Sequence, residues 1–430
     1  MDTRLQTPRG TTDYLPEESY KRRIAEDSFR RTFELWGYQE VRTPTFEFFQ
    51  VLATGTGAEL EDSMFKFQDK SGRLLALRAE MTASIARVVG TQLLNEPKPI
   101  RLWYIANMFR YDEPQAGRQR EFWQAGVELV GSDKIQADIE VVALMTQALR
   151  NICLKDVRVD VGHVGIFKEI MKEARLNADI VNAIRVSIDK KDSEGLEKTL
   201  NTEQIDEQTK QILRALLESR GGVEILDKIS SLVDNQKITD IINNLKKVLL
   251  ELQGFGVSEE FVTVDLGIIR GLDYYTGVVF EAYVPDLGIA IGGGGRYDGL
   301  IGDFASFEIP ATGFAIGIDR CIMALEKQKF QYPDKVKASV LILPVSKEMN
   351  IEVNKIANKL REDGITVEAE ISGWSVSKGL SYANKMKIPY VIIVGEEEYR
   401  SKAVVVKAMS AEKQDQVKIK ELTNFLKEKT

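Results

Sequence analysis

The sequence predicts an α+β protein: an antiparallel sheet flanked by helices, interrupted by a helical insertion and followed by a C-terminal α/β domain. Three observations carry that prediction. Short apolar or alternating runs joined by turn-like or charged stretches occupy residues 38–130 and return at 261–318. Between them, at about 165–255, aromatic residues almost vanish and charge alternates with Leu and Ile, the signature of amphipathic helices. Past residue 338 strand-like and helix-like segments alternate, which argues for a small, largely parallel α/β sheet. The expected domains are residues 1–325, with the insertion inside them, a charged linker at 326–337, and 338–430.

The elements follow in order. Ile24, Phe29, Phe33 and Trp36 roughly keep helical spacing within 17–36, Gly37 supplies a stop, and 38–43 reads as a strand ended by Pro44. Further strands are expected at 64–67, 74–77, 101–109 and 122–130, and after the insertion at 261–269 and 278–283. A glycine cluster, Gly292 to Gly295, precedes an apolar run at 313–318. In the last domain strands at 340–343, 366–371 and 390–394 alternate with helices at 351–363 and 376–386, and Gly364 stands where a helix-ending glycine belongs. No internal repeat or low-complexity segment occurs.

Composition narrows the chemistry. The 430 residues, 43% apolar and 29% charged, suffice for two or three domains with sizeable cores. Cys153 and Cys321 are the only cysteines and lack CxxC spacing, so they read as structural thiols in a reducing compartment. The single histidine, His163, rules out HExxH and histidine-cluster metal sites and reads as a core or satisfied polar residue; no metal site is expected. No apolar signal core or run of about 18 apolar residues is present, so the expectation is a cytoplasmic protein with no membrane partner. A net charge of −7 argues against coating nucleic acid by charge alone, so such a partner must meet a local patch.

Three constellations can carry chemistry. Arg110 ends one strand, a loop bearing Arg118 and Arg120 follows, and Gln124, Gly126 and Glu128 then alternate along the next strand. Period-2 alternation places the last three on one face, with Gly126 leaving room between polar groups roughly 13 Å apart. Arginines at the mouth of such a face suit phosphates, because a guanidinium stays charged and donates paired hydrogen bonds; arginines on loops can equally be solvated. The second constellation is Arg270-Gly-Leu-Asp273-Tyr274-Tyr275-Thr276-Gly277, whose tyrosines serve either core packing or a stacking surface for a ring. The third is Gly292-Gly-Gly-Gly295-Arg296-Tyr297-Asp298-Gly299, which permits close approach of a ligand or of a neighbouring strand. It is no phosphate loop: GxxxxGK[ST] is absent and the spacing fails GxGxxG.

In this order the segments resemble the motifs of class II aminoacyl-tRNA synthetases, and in detail those of the histidyl-tRNA synthetase family. Motif 1 resembles the helix and strand closing at Pro44; motif 2 resembles Phe109-Arg110-Tyr-Asp112 through Phe122-Trp-Gln124-Ala-Gly126-Val-Glu128; motif 3 resembles Gly313-Phe-Ala-Ile-Gly317-Ile-Asp319-Arg320. The histidine-specific stretch resembles Arg270-Gly-Leu-Asp-Tyr-Tyr275, and Gly-Arg-Tyr297-Asp-Gly-Leu300 also matches. The likeness runs from about residue 7 to 425, the C-terminal domain resembling an anticodon-binding domain.

The resemblance implies a ligase that activates L-histidine with ATP to histidyl-adenylate and transfers histidine to histidine tRNA, working as a homodimer with Mg2+ accompanying ATP. It implies that Glu80, Met81, Thr82, Gln124, Glu128, Tyr274 and Tyr275 surround histidine, with Glu128 and Tyr275 nearest the imidazole. Arg110 and Arg270 are its catalytic residues, touching both histidine and the reacting phosphate. Arg110, Asp112, Arg118 and Arg320 would bind ATP. Two departures stand out: Asp112 replaces a common glutamate, and Ala79-Glu80-Met81-Thr82 replaces a frequent Pro-Glu-Gly-Thr. For the insertion the resemblance implies only contact with the tRNA acceptor arm. The alternative readings are a non-catalytic regulatory paralogue of ATP phosphoribosyltransferase, a class II synthetase for another amino acid, and a tRNA-binding module without catalysis.

Overall fold

The computed structural model describes residues 2–113, 118–203, 205–269, 274–333, 338–411 and 413–429. The chain divides into two compact units, Met1–Gln331 and Tyr332–Thr430.

The first unit is built on a nine-stranded sheet, counted among the described residues. Its order is Gln39–Glu40, Ile100–Phe109, Glu121–Val130, Ala311–Gly317, Ala290–Arg296, Val278–Tyr283, Arg158–His163, Val262–Asp265 and Arg220–Gly221. All neighbours are antiparallel except Gln39–Glu40 with its neighbour and the Arg158–His163/Val262–Asp265 pair. Two predicted strands are shorter than expected. The 38–43 run pairs only at Gln39–Glu40, and 261–269 only at Val262–Asp265, beyond which Gly267 turns the chain. The Gly292–Gly295 cluster is the middle of the Ala290–Arg296 strand.

One face of the sheet is covered by helices. Pro16–Leu35 starts with Pro16 in its first turn, where a missing N–H is harmless, and with Glu17 and Glu18 complementing the positive end of the helix. It buries Phe29 and Phe33, whose rings stack 6.1 Å apart, and Phe33 reaches Trp103 and Phe314 on the sheet at 6.2 and 6.0 Å. Gly37, at φ +80°, ends the segment in a conformation costly for other residues.

The opposite face is set by register. Glu128 lies beside Gly313, Gly126 beside Ala315 and Gln124 beside Gly317; Gly313 and Ala315 lie in turn beside Gly295 and Gly293. Because side chains alternate, this face is a nearly bare backbone floor from which few long side chains rise.

The insertion consists of six helices between Val164 and Leu252. Their starts are legible: Asn177, Asp192, Asp206 and Asn235 each accept a backbone N–H from the first turn of the helix that follows. Its second edge, Arg220–Gly221, joins the sheet, and Arg220 pairs with the buried carboxylate of Asp160 at 3.0 Å.

In the second unit the order is Val367–Ala369, Val340–Pro344, Tyr390–Val394, Ala403–Ala408 and Gln414–Lys418. The first three are parallel as expected, but the last two form an antiparallel hairpin, so the sheet is mixed rather than largely parallel. The edge strand Gln414-Asp-Gln-Val-Lys418 carries one buried residue, Val417, too little apolar pattern to announce a strand. Gly364 follows its helix at φ +87°, as expected.

A buried ion pair joins sheet to helix in the first unit. Arg296, at the end of its strand, donates to both Asp138 oxygens at 3.1 and 3.0 Å and to the carbonyls of Ser132 and Lys134. Both side chains are buried, and the other carboxylate on Arg296 is that of the more exposed Asp298, at 3.1 Å, so removing Asp138 leaves a buried guanidinium poorly compensated. Asp138→Ala is expected to destabilise the first unit by about 3–5 kcal/mol, read as a lowered midpoint in denaturant.

Candidate active site

The glycine floor opens into a cavity of about 930 Å³. Eleven of the twelve residues expected in the site line it: Glu80, Met81, Thr82, Arg110, Asp112, Arg118, Gln124, Glu128, Tyr274, Tyr275 and Arg320. The twelfth, Arg270, lies outside the described residues.

Glu128 stands at the closed end, 2% exposed. Thr82 Oγ1 donates to its Oε1 at 3.1 Å and the Tyr297 hydroxyl donates to Oε2. Burial pushes its carboxyl up to about 8, against the opposing pull of the Tyr297 hydrogen bond; the neighbouring Glu80 carboxylate adds to the rise. Glu128 is therefore largely protonated at neutrality. Room for it comes from across the sheet: a Cβ at Gly313 would lie 1.9 Å from Glu128 Oε2. Similarly, a Cβ at Gly126 would lie 2.4 Å from Tyr104 Oη, so the space left by that glycine is filled by the Tyr104 ring.

Glu80 is already engaged. Its oxygens accept the backbone N–H groups of Thr82 and Ala83 at 2.6 and 2.8 Å, at the start of the Thr82–Thr91 helix. Desolvation raises its pKa, opposed by these amide contacts. Each carboxylate oxygen has a second lone pair, so a ligand ammonium can still be accepted. Met81 is buried below, with the Thr43 hydroxyl on its sulfur at 3.7 Å.

The tyrosines form a wall. Tyr274 packs edge-on against Tyr275 and Tyr297, with centroids 5.1 and 5.5 Å away. Burial drives both Tyr274 and Tyr275 hydroxyls well above their ordinary range, so both remain neutral donors. The two readings of this pair thus converge, since the rings pack together and still line the cavity.

At the open end Arg110 is held by Nε donating to Ala79 O at 2.9 Å and by the Phe122 ring 5.2 Å away. Desolvation lowers its pKa, but a guanidinium remains charged at any working pH. Arg118 and Arg120, alike by spacing and told apart only by the family resemblance, separate here. Arg118 lines the cavity, whereas Arg120 lies 4.0 Å over the Tyr111 ring and donates to Asp112 O. Arg320, in the first turn of Ile318–Lys327, donates to Ala290 O at 2.6 Å.

Several cavity residues were missed. Tyr297 continues the Gly293, Gly295 alternation onto the same face, a signal present in the sequence. Asn182, Arg185, Asp189 and Lys190 reach the cavity from the insertion, and no periodicity within the insertion could have shown it. His163 is a satisfied polar residue: Nδ1 accepts Gly165 N–H at 3.0 Å, and burial lowers its pKa to about 4.

The glycine-floored antiparallel sheet, its arginine-flanked cavity and the mixed α/β second unit define a class II aminoacyl-tRNA synthetase architecture. A structure of histidyl-tRNA synthetase from a Nostoc species shares the fold at a TM-score of 0.81 and 23% identity, covering 99% of both chains. A Bacillus halodurans structure, described as an ATP phosphoribosyltransferase regulatory subunit/histidyl-tRNA synthetase, matches at a TM-score of 0.78 and 32% identity, covering 88% of this chain and 96% of that one. The chain belongs to the histidyl-tRNA synthetase family, whose model matches residues 10–321, while an anticodon binding domain model matches 339–429. The histidine–tRNA ligase of Methanocaldococcus jannaschii is 42% identical over 428 residues, 99% of this chain and all of that one. That of Thermococcus kodakarensis is 40% identical over 435 residues, covering 98% of this chain and 99% of that one.

Two outcomes follow from Glu128. Gly313→Ala is expected to cost about 1–3 kcal/mol by overpacking the carboxylate, read as a lowered melting temperature. Since the folded pKa of Glu128 lies above its unfolded value, the stabilisation it contributes is complete below about pH 4.5 and is lost as pH rises through about 8. Glu128→Gln should flatten that decline in denaturant titrations across pH 5–8.

Proposed function

We propose that this chain activates L-histidine with ATP, releasing pyrophosphate, and transfers the histidyl group to the 3′ end of histidine tRNA. The observation that carries this is one cavity holding Arg110, Arg118 and Arg320 at its open end and Glu128, Thr82 and Tyr275 at its closed end, in a chain related over its whole length to histidine–tRNA ligases. The regulatory paralogue is not favoured, because those relatives and the anticodon-binding match extend through the second unit.

Histidine enters with its imidazole toward Glu128 and Tyr275. A largely protonated Glu128 and a neutral imidazole can share one proton, so the pair needs no net charge in a desolvated pocket. Its ammonium meets Glu80, Thr82 and Gln124, and Met81 and Tyr274 close the pocket around it. ATP lies at the open end, with the α-phosphate on Arg110, the outer phosphates on Arg118 and Arg320, and the base toward Asp112. A carboxylate oxygen of histidine attacks the α-phosphorus, and the bond to the β-phosphate's bridging oxygen breaks, its electron pair leaving with pyrophosphate. Arg110, together with Arg270 as the family resemblance implies, neutralises the charge that gathers in transit. Such displacement depends on positioning and electrostatics rather than a protein nucleophile. In the second step a terminal ribose hydroxyl attacks the adenylate carbonyl and AMP departs.

Mg2+ would come with ATP, because it keeps several waters and takes its other ligands from substrate phosphates and one or two carboxylates. The second unit carries the tRNA anticodon contact, and the synthetase reading implies charging in the cytoplasm; no helix among the described residues is long and apolar enough to cross a membrane. Pairing as a homodimer is supported by the exposed aromatic face of Phe46, Phe48 and Phe67 beside the motif 1 segment.

ATP–pyrophosphate exchange with each of the twenty amino acids tests the reaction. Exchange with histidine alone is expected, and histidine binding without exchange would return the regulatory reading. Arg110→Ala and Arg270→Ala should each slow exchange by more than about a hundredfold, as expected for losing a charge-stabilising donor.

A further inference from the structure

The segment before the first long helix carries no assigned role, yet it grips both sides of the ATP end of the cavity. Gly10 O accepts two consecutive N–H groups, Arg120 at 2.8 Å and Glu121 at 3.2 Å, where the chain returns to the sheet just after Arg118. Gly10 sits at φ +83°, and a Cβ there would lie 2.6 Å from Arg120 Cγ, so only glycine brings this carbonyl so close. Arg9 adds a contact to Glu113 at 2.7 Å on the other side of the same loop.

Four residues later the segment makes a second attachment. The Tyr14 hydroxyl donates to Asp319 Oδ1 at 2.9 Å, and Asp319 Oδ2 accepts the Trp123 backbone N–H at 2.8 Å. Arg22 also donates to Asp319 Oδ1, its guanidinium 3.9 Å from the Tyr14 ring and 5.6 Å from that of Trp123. Arg22 is 7% exposed, and its Nε and Nη1 have no hydrogen-bond partner, so aromatic rings and one carboxylate are what hold this charge. Asp319 immediately precedes Arg320. Gly10 thus holds the backbone that follows Arg118, and Tyr14 holds the side chain of the residue before Arg320, the two arginines assigned to the outer phosphates.

We infer that residues 9–14 form a strap that positions Arg118 and Arg320 for ATP, with Gly10 and Tyr14 as positioning residues that touch no substrate themselves. The inference rests on the proposed phosphate role of those two arginines. A strap of this kind acts on ATP and leaves the histidine end, closed by Glu128 and the tyrosines, untouched.

The test compares Tyr14→Phe and Gly10→Ala with the wild type in the full chain. Tyr14→Phe keeps the ring over Arg22 and removes only the hydrogen bond. Expected is a rise of about tenfold in KM for ATP in histidine-dependent pyrophosphate exchange, the effect of one lost bond to a charged group. Histidine affinity measured by calorimetry without ATP should be unchanged, as should the melting temperature of Tyr14→Phe. Amide hydrogen exchange should speed up over 120–123 in both variants. If KM for ATP stays within about twofold of wild type, or histidine affinity falls as much as ATP affinity, the strap is structural only and the inference fails. Should Gly10→Ala not fold, Tyr14→Phe decides alone. A wild type without exchange would sink the parent reading instead; the strap's hold on 120–123 is then still judged by amide exchange.

Discussion

A carboxyl group buried in the middle of an antiparallel sheet is the constraint around which the rest of the first unit is arranged. Glu128 rises from a strand whose neighbours must be glycine at Gly313 and, one pair along, must yield to Tyr104 at Gly126. Its two oxygens take the Thr82 and Tyr297 hydroxyls, one from the start of a helix and one from the end of a strand. Burying such a group is unfavourable unless it is hydrogen-bonded and kept neutral, and both conditions are met. The same desolvation makes it a discriminating contact, because a polar ligand must replace what water no longer supplies.

The two ends of the cavity are held by different devices. At the closed end, packed tyrosines and hydroxyls surround one shared carboxyl. At the open end, Asp319 gathers Trp123 N–H, the Tyr14 hydroxyl and Arg22 from three distant parts of the chain. The sheet supplies the common frame, since Gln124 and Glu128 sit four residues apart on a single strand and so hold two polar groups at a fixed separation on one face. Helix Pro16–Leu35 contributes to both the core, through Phe29 and Phe33, and the Asp319 junction, through Arg22.

Much of this was legible in the chain before folding was considered. Period-2 alternation put Gln124, Gly126 and Glu128 on one face, and the register confirms it; helical spacing found Pro16–Leu35 and placed the insertion to within a few residues. What stayed hidden depends on long-range pairing. That Arg120 lies on Tyr111 while Arg118 faces the cavity follows from Gly10 fixing the loop's return; spacing alone does not separate two arginines a residue apart, and only the motif resemblance singled out Arg118. Arg185 and Asp189 belong to an amphipathic helix that ends just before Lys190, and its polar face looks solvated until its packing over the cavity is known. The Gln414–Lys418 edge strand was missed because its neighbour, and not its own apolar content, makes it a strand.

The central claim is that Glu128 and the substrate imidazole share a single proton. It is tested most directly by histidine affinity between pH 5.5 and 9 for the wild type and Glu128→Gln. An unperturbed imidazole titrates near 6.5, and burial holds Glu128 at about 8. Affinity should therefore be greatest between those values and weaken above pH 8, where binding must take up a proton. Glu128→Gln should bind more weakly at neutrality and lack the break near 8. A wild-type profile without that break, or an identical break in Glu128→Gln, would contradict the account.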